Sequence, residues 1–131
     1  MTDQQETDQQ SFDRHAWIEG SIPVFKAFFF QYYPAFFPFA ASLLPDRLSA
    51  THVTTEAFFL LWKKHKDLES LVNCKAFLYT TIRNHSLQYL KYLREDPDAG
   101  VYRADDQRWP ALPDKDLVEI LAYAEGYDPS S

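Results

Sequence analysis

Glycine is scarce in this chain, with three in 131 residues. No period-2 alternation bounded by turn dipeptides appears either, and together these exclude a β-rich fold. Cysteine is scarcer still. Cys74 stands alone, which rules out an internal disulfide and any cysteine-paired zinc site and fits a reducing, cytoplasmic setting. Residues 1–16 are rich in Gln and acid and lack an apolar segment, so no secretory leader is expected. The most apolar stretch, Val24 to Leu44, is interrupted by Lys26, Gln31, Pro34 and Pro38. It reads as a buried helical segment, and no membrane insertion is expected. Catalytic groupings are missing as well: there is no G-x-S-x-G, no Gly-rich phosphate loop and no pair of carboxylates on an apolar stripe. His52, His65 and His85 contain no i, i+4 pair. Neither an enzymatic activity nor a metal or cofactor is expected.

What the chain has instead is apolar and aromatic mass. Hydrophobic residues make up 46% and aromatics 17%, enough for a folded domain built on one core. The fold class expected is all-α, a small bundle of three to four helices. Residues 1–21 read as a polar tail that can turn helical near Ala16–Ile18. Residues 22–95 form the helical domain. Residues 96–131 read as an acidic linker or tail, or as the truncated start of a second domain, with helical potential over Asp116–Ala124. Pro23 suits a first helical turn, and the segment behind it carries Phe25, Phe28 and Phe29. Pro34 and Pro38 predict a kink or restart before Leu44, and Leu44-Pro45-Asp46 a break.

A helix is predicted over roughly Leu48–His65, with Ala50, Val53, Ala57, Leu60 and Leu61 on its core face. Its other side carries Thr51, Thr55, Phe58, Phe59 and Trp62, flanked by His52 and Glu56. Such a helix is either buried on both sides or presents an apolar patch to a partner. Residues 67–74 read as a loop with Asn73 as the cap of the next helix, predicted over about Lys75–Arg94. There Leu78, Ile82, Tyr89, Leu90 and Leu93 share the core side, while Thr80, Arg83, Asn84, Lys91 and Arg94 share an adjoining arc.

The net charge of −6 argues by itself against a nucleic-acid partner. Its distribution argues otherwise. Residues 63–94 hold seven Lys/Arg against two Asp/Glu, whereas residues 95–131 hold ten acids against three bases. No acid lies between Val72 and Arg94. A basic block between acidic ends is either a solvated helix face or an electrostatic footprint for a polyanion. The ten acids could also fold back over that block and compete with DNA.

Three stretches carry a resemblance. They are Phe25-Lys26-Ala27-Phe28-Phe29 with Tyr32-Tyr33-Pro34 and Leu43-Leu44-Pro45-Asp46; Ala50 through Trp62; and Asn73-Cys74-Lys75-Ala76-Phe77-Leu78-Tyr79-Thr80-Thr81-Ile82-Arg83-Asn84. Together, over about residues 22–94, they resemble region 2 of the extracytoplasmic-function sigma factors of the sigma-70 family. The resemblance implies a helical domain whose second helix docks on a coiled coil of the RNA polymerase β′ subunit. It also implies that the third helix and the loop before it meet the promoter −10 element. The sequence departs from the family where polar groups of the second helix usually hold the polymerase. His52 stands at the usual Asp and Thr55 at the usual Gln, with Glu56 retained, and Gln88 replaces a common acid near the end of the third motif. Family members also carry a second DNA-binding domain, region 4, for which 131 residues leave no room, so either a fragment or a lone region-2 unit is expected.

The resemblance implies recognition without catalysis. DNA contacts are expected from Lys63, Lys64, Lys66, Asn73, Lys75, Tyr79, Arg83, Asn84, Lys91 and Arg94, with the cations on phosphates. Asn73 is the first candidate to read an unstacked base, and Tyr79 or Trp62 the candidate stacking platform. Polymerase contacts are expected from His52, Thr55, Glu56, Phe59 and Trp62. The partners expected are RNA polymerase core, promoter DNA and an anti-sigma factor. The alternative is a degenerate interaction module that binds polymerase or an anti-sigma factor without reading DNA.

Overall fold

A helix of 22 residues runs through two prolines. The computed structural model describes residues 13–95 and 112–127, and within these the chain forms five helices. They are α1 (Arg14–Ile18), α2 (Ile22–Leu43), α3 (Arg47–Lys63), α4 (Leu71–Glu95) and α5 (Asp114–Gly126). The expected kink at Pro34 or Pro38 does not divide α2. Burial explains why. Phe25, Phe28, Phe29, Tyr32, Tyr33, Phe36, Phe37 and Ala40 recur at helical spacing and are all buried. Seven buried aromatic side chains, at roughly 1.5–3 kcal/mol each, outweigh two interior prolines at about 3 kcal/mol each. The carbonyl that Pro34 leaves without an amide partner is that of Phe30, and it accepts a long bond of 3.5 Å from the Tyr123 hydroxyl of α5.

The break after α2 falls where the sequence places it. Leu44 is extended, and the Asp46 carboxylate caps α3 by accepting from the Ser49 N–H at 2.8 Å. α3 packs against α2, α4 and α5. Of the two readings open for its aromatic side, the structure takes burial on both. Phe58 and Phe59 are as enclosed as Ala50, Val53, Ala57 and Leu61. Among the described residues no helix is long and apolar enough to cross a membrane.

α1 is five residues long and is held by one side chain. Trp17 is fully buried in the same core cluster as α2–α5, 5.2 Å from the Trp62 ring and 5.1 Å from Phe28. Its indole N–H donates to the Leu68 carbonyl at 2.9 Å, and its own carbonyl lies 2.8 Å from His65 Nδ1. Gly20 turns the chain from α1 into α2 at φ +84°, where a side chain would be strained and would meet the His65 ring at 3.5 Å.

Candidate nucleic-acid interface

The start of α4 corrects the expected cap. Ser70, not Asn73, sits at the cap: its hydroxyl accepts the Asn73 N–H at 3.1 Å, and its carbonyl takes the Cys74 N–H at 3.0 Å. Helix therefore begins at Leu71. Asn73 and Lys75 stand in the first turns of α4 and not in the preceding loop. The Asn73 side chain is exposed and free of capping duty. The loop that remains, residues 64–70, is pinned to α1 through the Trp17 bond to Leu68 and an Arg14–Glu69 ion pair.

Leu71, Cys74, Leu78, Ile82, Ser86 and Tyr89 form the buried side of α4, and Leu90 and Leu93 pack partly buried beside them. Burial pushes the Cys74 thiol up to about 12, and it donates to the same Leu68 carbonyl at 3.4 Å. Thr80, Arg83, Asn84, Lys91 and Arg94 are all exposed on the other side. At about 100° per residue, Arg83, Lys91 and Arg94 lie within roughly 80° of one another. Eleven residues at ~1.5 Å rise spread them along about 16 Å of helix. Among the described residues none of the three forms an ion pair, and neither do Lys63, Lys64 and Lys66, which are exposed at the end of α3 and in the turn after it. These lysines precede α4 in the chain by five to eight residues.

Two other candidates are differently placed. Lys75 is half-buried with its ammonium 4.9 Å from the Tyr32 ring centre, a cation–π contact. Tyr79 is 54% exposed and rests against Phe39, with ring centres 4.3 Å apart. One side of its ring is thus held by the protein while much of it faces solvent, as a stacking platform requires. Trp62 is not such a platform. It is enclosed by Trp17, Phe25 and the stacked His65 ring, at 5.2, 4.7 and 4.4 Å.

Of the residues expected to face polymerase, His52 alone is exposed. Thr55, Glu56, Phe59 and Trp62 are buried. The Glu56 carboxylate turns toward α4, where His85 Nδ1 lies 3.1 Å away. Thr55 Oγ1 and Tyr33 Oη are enclosed without a well-formed hydrogen bond. Burial pushes the Tyr33 phenol up to about 12, tempered by the nearby Thr51 and Thr55 hydroxyls.

The acidic C-terminal helix does not cover the basic arc. α5 packs on α2 and α3, and its Asp116 and Glu119 carboxylates accept from Lys26 Nζ at 2.9 and 2.6 Å. Those bonds, Glu119 first and Asp116 second, raise the Lys26 pKa. The remaining acids of residues 96–111 lie outside the described residues. Sequence reasoning missed the roles of Trp17 and Ser70. A signal existed for each: Asp13 is a cap residue ahead of Trp17-Ile18, and Ser70 precedes Leu71 and Val72. Among the described residues no group of three His, Cys, Asp or Glu is placed to hold a metal.

The family model for Sigma-70 region 2 matches residues 28–95. No curated protein and no solved structure matches the chain.

Proposed function

Because the chain belongs to the Sigma-70 region 2 family, whose members bind RNA polymerase and recognise promoters, we propose that it works as a region-2 unit of the extracytoplasmic-function type. In this reading it docks on polymerase core, at the β′ coiled coil, and holds the opened −10 strand along α4. The observation that carries the reading is the ridge of Arg83, Lys91 and Arg94, exposed on one side of α4 and paired with no carboxylate among the described residues. Unpaired cations keep their full attraction for phosphate, and each one that engages releases counterions. A protein of net charge −6 has no general affinity for DNA, so binding depends on this local field and favours a strand laid along it.

Reading follows from chemistry beside the ridge. A base in an opened strand exposes its hydrogen-bonding edge and its faces. Asn73, released from capping, offers an amide that can both donate and accept. The Tyr79 ring, backed by Phe39, offers a face for stacking. Lys63, Lys64 and Lys66 add phosphate contacts, and Asn84 adds a polar contact near Arg83. An anti-sigma factor remains a further partner of this reading.

A fluorescence-anisotropy titration with single-stranded DNA carrying a −10-like sequence tests it. If six cations engage, the slope of log K against log salt is about −4, at roughly 0.7 per contact on single strands. Affinity then falls on the order of 300-fold between 50 and 200 mM salt. Replacing Arg83, Lys91 and Arg94 together by Ala should flatten the slope by about 2. Asn73→Ala should weaken binding to the −10-like strand and leave the slope alone. Affinity no tighter than about 0.1 mM at low salt would refute DNA reading and leave the alternative, an interaction module for polymerase or an anti-sigma factor.

A further inference from the structure

The outer side of α4 is not uniformly polar. Val72, Tyr79 and Leu87 are 64%, 54% and 47% exposed, and Ala76 is exposed among them. At about 100° per residue these four lie within roughly 80° of one another. At ~1.5 Å rise they run along about 22 Å of the helix. Arg83 and Arg94 stand in the same line, and Arg83 comes four residues after Tyr79 and four before Leu87. A second line, Asn73, Thr80, Asn84 and Lys91, runs beside the first about 80° further round, and all four are exposed.

A single exposed leucine needs no explanation. An apolar line interleaved with cations that pair with no carboxylate among the described residues does. Leu87 is ringed at helical spacing by Arg83 and Asn84 one turn before it and Lys91 one turn after it. No acid lies between Val72 and Arg94. A protein partner would need a contiguous apolar centre, and Arg83 divides Tyr79 from Leu87. An opened DNA strand alternates flat, weakly polar bases with anionic phosphates, and that alternation matches the line. Phosphates alone would engage the cations and leave Val72, Tyr79 and Leu87 uncovered, whereas bases turned inward cover them.

We propose that the opened strand lies on α4 with its bases toward the Val72–Leu87 line, and that Leu87 determines specificity by packing on the 5-methyl group of a thymine. A leucine side chain has no hydrogen-bonding group, so it discriminates among bases by shape and apolar contact, and the thymine methyl is the apolar mark it can read. Arg83 and Lys91, one turn to either side, hold the flanking phosphates. The proposal rests on the strand-holding reading above and adds to it a second reading position. Leu87 is 14 residues beyond Asn73, about 21 Å along the helix, so the two side chains meet different bases.

The test uses the full chain and two single strands of one thymine-containing, −10-like sequence, the second with every thymine replaced by deoxyuridine. The strands differ only in methyl groups and carry the same charge. The wild-type chain should prefer the thymine strand about threefold, close to the contribution of one methyl group withdrawn from water. Leu87→Ala should reduce that preference to less than about 1.5-fold, and Leu87→Met, which keeps an apolar end, should retain it. Neither variant should change the salt slope, because no charge is altered. Equal binding of both strands by the wild-type chain, with the salt slope intact, overturns Leu87 as a thymine reader and leaves the strand-holding reading standing. A preference that survives in Leu87→Ala, or is lost in Leu87→Met, does the same. If Leu87→Ala leaves DNA affinity unchanged but weakens binding to RNA polymerase core, the line belongs to a protein interface and the proposal fails. Binding to either strand no tighter than about 0.1 mM at low salt overturns the strand-holding reading itself, and the thymine contact with it.

Discussion

Trp17→Phe keeps an aromatic ring in the core but deletes the indole N–H that donates to the Leu68 carbonyl at 2.9 Å. The orphaned acceptor is not left bare, because the Cys74 thiol still reaches it at 3.4 Å. The hydrogen bond is therefore worth about 1 kcal/mol net. The smaller ring also leaves roughly 40 Å³ unfilled beside Trp62, Phe25 and Phe28, which at ~24 cal/mol per Å³ costs about 1 kcal/mol more. The sum, about 2 kcal/mol, should lower the urea midpoint by roughly 1 M for a domain of this size. The loss should also be uneven. The amides of Asp67 and Leu68, bonded to the Lys64 carbonyl at 2.9 and 3.2 Å, belong to the loop that Trp17 pins. They should exchange faster by a larger factor than amides in the middle of α3. A midpoint shift below about 0.3 M, with loop exchange unchanged, would refute the claim that a five-residue helix anchors the approach to α4.

Two further tests probe buried polar chemistry. Burial holds the Cys74 thiol protonated up to about 12, against its ordinary value of 9.0. The folded state thus keeps a proton that the unfolded chain releases, and the stability tied to it is complete below pH 9 and declines as pH rises toward 12. Urea midpoints taken between about pH 8 and 9.8, below the range in which Tyr33 adds a similar decline, should fall more steeply for the wild-type chain than for Cys74→Ala; parallel declines would show that the thiol does not titrate this way. His85→Ala removes the partner of a carboxylate that is 9% exposed, and a loss of about 1.5–3 kcal/mol at pH 7 is expected. Combining it with Glu56→Gln should show a coupling of at least ~0.5 kcal/mol in a double-mutant cycle, and additive losses would mean that the two side chains do not support each other.

Helices were legible wherever periodicity and punctuation agreed. Leu44-Pro45-Asp46 marked a true break because Asp46 could cap while Pro45 could not extend a helix. Pro34 and Pro38 misled because a proline rule weighs only the local backbone. The aromatic ladder from Phe25 to Phe37 lies in the same residues, but its weight depends on partners elsewhere in the chain. Asn73 reads as a cap because Asn is a good one; Ser70, equally good and three residues earlier, is closer to the first buried residue, Leu71. Spacing alone does not arbitrate between two such signals.

The cationic arc could be placed from sequence because exposure follows charge: an Arg or Lys without an acid nearby in the chain has little reason to be buried. The fate of the α3 motif could not. Thr55, Glu56 and Phe59 share a side of their helix with His52 or border it, yet only His52 meets solvent.

Composition, periodicity and local charge determined that the fold is all-α, that the chain breaks at Leu44-Pro45-Asp46 and that α4 carries a basic side, because each of these depends on neighbours within a turn or two. Tertiary structure alone decided that α2 survives its prolines, that Trp17 joins the core and that α5 packs on α2 and α3 instead of on the basic arc. Those outcomes are set by surfaces that meet across 50 to 90 residues of chain, as in the Trp17–Leu68 and Lys26–Asp116 contacts. A helical period names the residues that share a side, and only the packed fold supplies what that side meets.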